Sequence, residues 1–150
     1  MIRILAYFLL FTAVAARAVL NEPLYEPKFV AINAGGQMSE EQVKQAFLDA
    51  AKRIRGWTFS VNRPGMLEGD LTVRKHQVSV NILYSAKDYS IIYVASENMM
   101  YDADKKTIHP SYGRWIRNLE KYFQENLNAI WMKTPSAPVS DTAAPPPPGD

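Results

Sequence analysis

Apolar residues recur along this chain of 150 residues with two periods. Where they alternate with polar residues, the pattern predicts five β-strands, at residues 28–33, 57–63, 67–74, 78–84 and 89–94. The last four are joined by short turns such as Pro64-Gly65. Because parallel neighbours need a crossover of about a dozen residues, connections this short favour antiparallel pairing.

Apolar residues spaced three and four apart predict two amphipathic helices. Ser39 can cap the first, with Gln42 three residues further on as in a capping box. Gly56 can end it, because glycine adopts left-handed conformations without a Cβ penalty. The apolar stripe of this helix is Val43, Ala46, Phe47, Ala50 and Ile54. The second helix extends from Ser111 to about residue 131, with the stripe Tyr112, Trp115, Ile116, Leu119, Phe123, Leu127 and Ile130.

Together these segments predict an α+β domain of order β-α-β-β-β-β-α. Its sheet is antiparallel, with four to five strands, and both helices pack on one face. The strand at 89–94 departs from simple alternation, since Ile92 and Val94 make its second face apolar as well. We therefore expect that face to be covered, either by the preceding lead-in or a loop, or by a partner chain.

Both ends of the chain differ from this domain. Arg3, an apolar run and the small residues around Arg17 are typical of a secretory signal. Residues 1–18 are thus predicted to be removed, and the apolar run is shorter than the ~20 residues that span a bilayer. Residues 19–133 form the predicted single domain, and 134–150, rich in proline, are predicted to be a disordered tail. The predicted location is periplasmic or secreted, with membrane contact only through the signal before its cleavage.

Charge and cysteine content exclude several classes of protein. The 17 basic and 15 acidic residues become 15 of each once Arg3 and Arg17 are removed with the signal. A neutral domain lacks the basic excess that nucleic-acid binding needs, so no nucleic-acid partner is expected. The chain has no cysteine, and it therefore has no disulfide, thiolate nucleophile or lipidated cysteine.

The two histidines are the candidates for chemistry. His76 and His109 could combine with Asp102 or Asp104 in acid-base catalysis or in a metal site. Their spacing matches no two-histidine metal helix, and His109 precedes a proline at a helix start, where a ring commonly bonds to backbone. The favoured interpretation is structural.

Two weaker patterns lie near His109. The oxygen ligands from 97 to 104 lack the glycine and closing glutamate of a calcium loop. Ser96 and Ser111 lack an activating motif, so they are interpreted as a turn former and a helix cap. The sequence thus predicts no catalytic residue, cofactor or metal.

Two surfaces are candidates for binding. Basic residues at 53, 55, 63, 74 and 75 could gather at one end of the sheet and meet an anionic partner, or be balanced by nearby acids. Aromatic residues at 84, 89, 93, 101, 112 and 115 could line a ligand pocket or form core. The residues predicted for a partner or ligand surface are Arg53, Arg55, Arg74, Ile92, Val94, Tyr93, Tyr112 and Trp115.

A series of short motifs spans residues 37 to 127. They are Arg55-Gly56-Trp57, Pro64-Gly65, Tyr84-Ser85, Tyr89-x-Ile91-x-Tyr93, Ser96-x-Asn98, Tyr101-Asp102 and Ile108-His109-x-x-Tyr112-x-x-Trp115. This order resembles a group of small uncharacterised exported proteins and lipoproteins of Gram-negative bacteria. The resemblance implies a compact α+β module in the periplasm or envelope, and no activity, cofactor or catalytic residue. The chain differs from the lipoproteins in having no cysteine after its signal.

The function expected from these features is non-enzymatic. The leading hypothesis is an envelope protein that binds another macromolecule, either an envelope protein or an anionic envelope component, through the second face of strand 89–94 or the basic end of the sheet. The alternative is a small-ligand-binding protein with an aromatic pocket between the sheet and the C-terminal helix. A homodimer is a further expectation for the apolar face.

Overall fold

A computed structural model describes residues 20–32 and 38–133 of the protein. The predicted signal (1–18) and proline-rich tail (134–150) lie outside the described residues. The elements are β1 (Glu22–Pro23), β2 (Val30–Ala31), α1 (Glu40–Arg53), β3 (Trp57–Arg63), β4 (Met66–Val73), β5 (His76–Tyr84), β6 (Asp88–Glu97), β7 (Thr107–Ile108) and α2 (Ser111–Lys133).

The main sheet has five antiparallel strands in the order β2-β6-β5-β4-β3. The predicted α+β class, the antiparallel sheet and the element order are confirmed. Strands β3 to β6 form a meander because each connection is a short turn; Gly65 has a φ of +74° in the turn between β3 and β4. The sequence does not predict the small second sheet, in which β1 pairs with β7.

Both helices form where their stripes predict, and the N-cap of α1 is as predicted. The C-cap of α1 is Ile54, two residues before Gly56. The interpretation of Ser111 as a helix cap is wrong, because Ser111 is the first residue of α2 and its hydroxyl accepts from Arg114. Ser39 and Gln42 make the reciprocal capping box at the start of α1, and Gly56 follows the helix with a φ of +94°. The stripe of α1 and the buried residues of α2 pack with the inner face of the sheet in a single core. Phe47 of α1 lies at its centre, with its ring centroid 4.1 Å from that of Phe123 on α2.

Strand β6 extends to Glu97, beyond the predicted end at residue 94, and it contains a β-bulge. Tyr93 pairs with Val80 and Ala95 pairs with Ser79, so Val94 is an extra residue in the ladder. The bulge places Tyr93 and Ser96 on the same face, where their hydroxyl groups are 2.9 Å apart. The interpretation of Ser96 as a turn residue is therefore wrong: it lies inside the strand.

The lead-in before α1 occupies the outer edge of β6. The backbone N–H of Ile91 donates to the carbonyl of Pro27, and that of Tyr93 donates to the carboxylate of Glu26. These bonds satisfy the polar groups of the strand edge. Among the described helices, none is long and apolar enough to cross a membrane.

Candidate functional site

An open hollow of about 460 Å³ lies at the end of the sheet, where β5 begins and α2 starts. It is lined by Lys75, His76, Asn98, Met100 and His109, and we call it the histidine hollow. The two imidazoles are separated by 33 positions in the sequence, yet their ring centroids are 5.5 Å apart.

Asn98 fastens the β5 side of the histidine hollow. Its backbone carbonyl accepts a hydrogen bond of 2.7 Å from Nδ1 of His76, and its side-chain amide donates to the carbonyl of Lys75 at 2.7 Å. Because a carbonyl oxygen can only accept, Nδ1 of His76 must carry a proton. In the neutral ring, Nε2 is then the atom with the free lone pair.

The opposite tautomer is imposed on His109. Its Nδ1 accepts a hydrogen bond of 3.1 Å from the backbone N–H of Ser111, so the neutral ring carries its proton on Nε2. The carbonyl of His109 also accepts from the N–H of Tyr112. His109 thus caps the first turn of α2, as the structural interpretation of the sequence predicts.

Backbone strain is concentrated around this hollow. Asn98 has a φ of 56° and Met100 a φ of 49°, and Arg74, beside Lys75, has a φ of 55°. Residues other than glycine rarely adopt this left-handed region, and each instance costs on the order of 1–3 kcal/mol. Such strain is often found at ligand sites, where the surrounding structure holds the residue in place.

The residues that line the histidine hollow include the cation Lys75 and no anionic group. No carboxylate is among its lining residues, and the described chain contains no cluster of three or more metal-ligating side chains. Asp102 instead accepts hydrogen bonds from the backbone N–H groups of Asp104 and Lys105, and the bond from Lys105 lowers the pKa of its carboxyl group. Neither imidazole is therefore oriented by a carboxylate.

The protonation of His109 predicts how stability changes with pH. Burial, the neighbouring His76 and Arg114 of α2 lower the pKa of His109, in that order of size. The unfolded chain consequently binds a proton at His109 near pH ~6.5 while the folded chain does not. Since the unfolded state binds more protons between the lowered folded-state pKa and ~6.5, the free energy of unfolding should rise as the pH is raised through this window and fall as the pH is lowered through it.

This expectation can be checked by urea unfolding at a series of pH values. His109→Asn keeps an acceptor for the N–H of Ser111 and removes the titrating ring, so its stability should depend less on pH between about 7 and 5. His76, Lys75 and Arg114 are the charged or titratable groups that face this ring. Equal pH slopes for the wild type and the variant would contradict the prediction.

The basic residues considered for the surface lie in three different places. Arg74 is exposed in the turn next to the histidine hollow, and Arg55 is exposed near the same end of the sheet, just before β3. Arg53 instead joins the two helices, with a 2.7 Å ion pair to Glu125 and its guanidinium over the ring of Tyr122. Arg63 lies at the opposite end of β3.

The apolar and aromatic residues predicted for the surface are likewise divided. Ile92 is half-buried in a groove of about 430 Å³ on the outer sheet face, beside Phe29 and Leu83, while Val94 is exposed at the bulge. Phe29 of the lead-in therefore lies next to the second apolar face of β6.

Tyr93 and Tyr112 are on the inner side of the sheet. The ring of Tyr93 packs against that of Tyr101 at 4.5 Å and that of Tyr112 at 5.9 Å. Tyr112 is buried and its hydroxyl has no hydrogen-bond partner among the described residues; burial raises its pKa. Trp115 is half-buried, 6.2 Å from the ring of His76, and it is the one residue of the predicted surface whose ring contacts the hollow.

Comparison with family models, with curated proteins and with solved structures finds no match for this chain. The resemblance to exported proteins and lipoproteins stays a prediction. The site has therefore to be interpreted from its own geometry.

None of the five lining residues belongs to the partner or ligand surface predicted from sequence, although Lys75, His76 and His109 are named above as candidates for anion binding or chemistry. Asn98 and Met100 both have a positive φ. Their left-handed backbone has no sequence signal as strong as glycine would provide. Asn98 alone carries a hint, because asparagine is several times commoner than most residues in that conformation. The pairing of His76 with His109 also depends on where α2 meets β5, which short-range periodicity does not determine.

Proposed function

We propose that the protein is a non-enzymatic binding protein of the bacterial envelope, and that the histidine hollow binds a phosphate group carried by an envelope component. The observation that supports this most is the convergence of Lys75 with two imidazoles, without a carboxylate, in one open hollow. A site lined by a cation and nitrogen donors favours an anion.

The two tautomers favour phosphate over carboxylate. With both Nδ1 atoms bonded to backbone, Nε2 of His76 is an acceptor and Nε2 of His109 is a donor. Lys75 supplies further donors. A singly protonated phosphate matches this set because its anionic oxygens accept and its P–OH donates, whereas a carboxylate has nothing to donate.

The same hydrogen bonds disfavour a metal. An imidazole that ligates a metal through Nε2 normally keeps its proton on Nδ1, where it donates to a neighbouring acceptor. Nδ1 of His109 instead accepts from the N–H of Ser111, so this ring is in the wrong tautomer for ligation through Nε2. Hydrolysis by the pair is disfavoured too, since no carboxylate within the described residues orients either ring.

A phosphate that is attached to a large envelope component can reach the histidine hollow, because the hollow is open to solvent. Met100 at its rim is exposed, and the turn that carries Arg74 and Lys75 is exposed as well. A phosphate at the end of a lipid headgroup or on a glycan can enter such a site while the rest of the molecule stays outside. Arg74 is the neighbour of Lys75 in the chain, so it could contact a second anionic group of the same component.

Titration of the purified domain with inorganic phosphate tests the proposal. We expect saturable shifts of the His76 and His109 ring signals in NMR spectra, and a smaller response to acetate at the same ionic strength. Replacing Lys75 and His76 together by alanine should weaken phosphate binding at least tenfold, because each charge-assisted hydrogen bond contributes about 1.5–3 kcal/mol. Higher salt should weaken binding too.

Lys87→Ala is the matched control, because Lys87 is an exposed lysine in the turn at the other end of β5. Its phosphate affinity should equal that of the wild type. Vesicles that contain a phosphomonoester lipid, compared with neutral vesicles, then identify a lipid headgroup as the source of the phosphate. Absence of a saturable phosphate response in the wild type would overturn the proposal.

A further inference from the structure

The two edges of the main sheet differ in whether their outward backbone groups are hydrogen-bonded. At one edge, the lead-in and β2 hydrogen-bond to the outward groups of β6. At the other edge lies β3, a strand of seven residues. An uncovered edge is a ready template for another strand, and proteins commonly protect it with proline, lysine or a covering loop.

The register identifies the groups of β3 that point outward. The N–H of Thr72 donates to the carbonyl of Gly56, so these two residues form a hydrogen-bonded pair. Such pairs alternate along an antiparallel ladder. Thr58 and Ser60 therefore bond to β4, while the N–H and C=O groups of Trp57, Phe59 and Val61 point away from the sheet. Within residues 20–32 and 38–133, nothing hydrogen-bonds to these outward groups.

A groove of about 510 Å³ runs between this edge and α1. Its apolar part is formed by Leu48 and Ala51 of the helix and by Trp57 and Phe59 of the strand. Val61 continues the same face of β3 and is 55% exposed. Lys52, on the helix side, is already paired with Asp49 at 2.7 Å, so the groove carries little unpaired charge.

We propose that this edge is a self-association surface, on which β3 of one copy pairs antiparallel with β3 of a second copy about a two-fold axis at Ser60. This register places Phe59 opposite Val61 of the other copy. In each Phe59–Val61 pair, the outward backbone groups of one strand face those of the other, and the two apolar side chains lie side by side. It covers Val61 and joins the two five-stranded sheets into one.

The charges and the helices are compatible with this arrangement. Arg63 is the only charged residue of β3, and antiparallel pairing about Ser60 places its two copies at opposite ends of the paired strands, so no two cations meet. The α1 helices run antiparallel on the same side of the joined sheet. Near Val61, α1 presents Glu40, Glu41 and Lys44, and the Lys44 ammonium is already paired with the Glu41 carboxylate.

Disulfide trapping tests the register. Ser60 would face its own copy in a non-hydrogen-bonded pair, with Cα atoms about 4.5 Å apart, which lies within disulfide reach. The chain has no cysteine of its own, so Ser60→Cys should oxidise to a covalent dimer. Thr58→Cys is the control: its two copies would be offset by four residues, or about 13 Å, and should not cross-link.

Sedimentation over a wide concentration series tests the surface without oxidation. The wild type should show a monomer–dimer equilibrium. Val61→Lys should weaken dimerisation at least tenfold, because it places a charge against the ring of Phe59 in the other copy. Val94→Lys is the matched control, since Val94 is 51% exposed on the other side of the sheet.

Two outcomes would overturn the proposal. One is a wild type that stays monomeric at every concentration, which would leave the edge to an extended segment of a different protein. The other is a dimer that Val61→Lys leaves intact and Ser60→Cys does not trap. Neither outcome affects the phosphate proposal, because β3 contributes no residue to the histidine hollow.

Discussion

Replacing Phe47 by alanine is expected to lower the free energy of unfolding by about 3–5 kcal/mol, the usual cost of removing a fully buried ring. Phe47 has no exposed surface. Its ring makes edge-to-face contacts with Tyr84 of β5, Tyr89 of β6 and Phe123 of α2. The loss should be large because three elements pack on one ring, and a cavity between them cannot be closed by moving only one of them.

Urea unfolding of the two proteins measures this difference. Phe29→Ala is the matched control, since Phe29 is 80% exposed and its removal should change stability by less than about 1 kcal/mol. If Phe47→Ala cost no more than Phe29→Ala, the packing of α1 against the sheet would differ from that described.

Replacing Gly56 by alanine should destabilise the domain by about 1–3 kcal/mol for a different reason, which is backbone strain. Gly56 has a φ of +94°, and a Cβ placed there would lie 2.9 Å from the carbonyl oxygen of Thr72. That oxygen belongs to the backbone of β4, so it cannot move aside as a side chain would. The substitution therefore forces either the helix end or the first pair of the β3–β4 ladder to shift.

Gly113→Ala provides the opposite expectation. A Cβ at this position in α2 would approach only the guanidinium of Arg117, the flexible end of a side chain. Alanine also gains up to about 1 kcal/mol over glycine within a helix. Thermal or urea unfolding should therefore show Gly113→Ala at or above wild-type stability and Gly56→Ala below it. The same sign for both variants would contradict the account of Gly56.

Some expectations from sequence remain predictions. The secretory signal, the periplasmic location and the envelope partner concern features that lie outside the described residues or beyond the chain itself. Where strands were expected, the alternation of β4 and β5 was accurate, because each has one buried and one solvated face. It was less accurate for the strand predicted at 28–33, of which only Val30–Ala31 is strand. It was also less accurate at β6, where Val94 is an extra residue in the ladder and the strand extends to Glu97.

The candidate surface residues were only partly brought together. Arg74 and Trp115 lie beside the histidine hollow, whereas Arg53 is held by Glu125 and Tyr112 is buried in the core. A list made from residue type cannot separate a free arginine from one paired across two helices. That distinction depends on which helix faces are adjacent.

Local patterns in the sequence determined the α+β class, the N-cap of α1 and the four-stranded meander, because each depends on residues within a few positions of one another. Tertiary structure alone decided three other features. They are the meeting of His76 with His109, the lead-in that covers one edge of the sheet, and the edge at β3, which none of the described residues covers. Each depends on where distant segments pack, and the energy of such packing is shared among many side chains, so no single stretch of sequence specifies it.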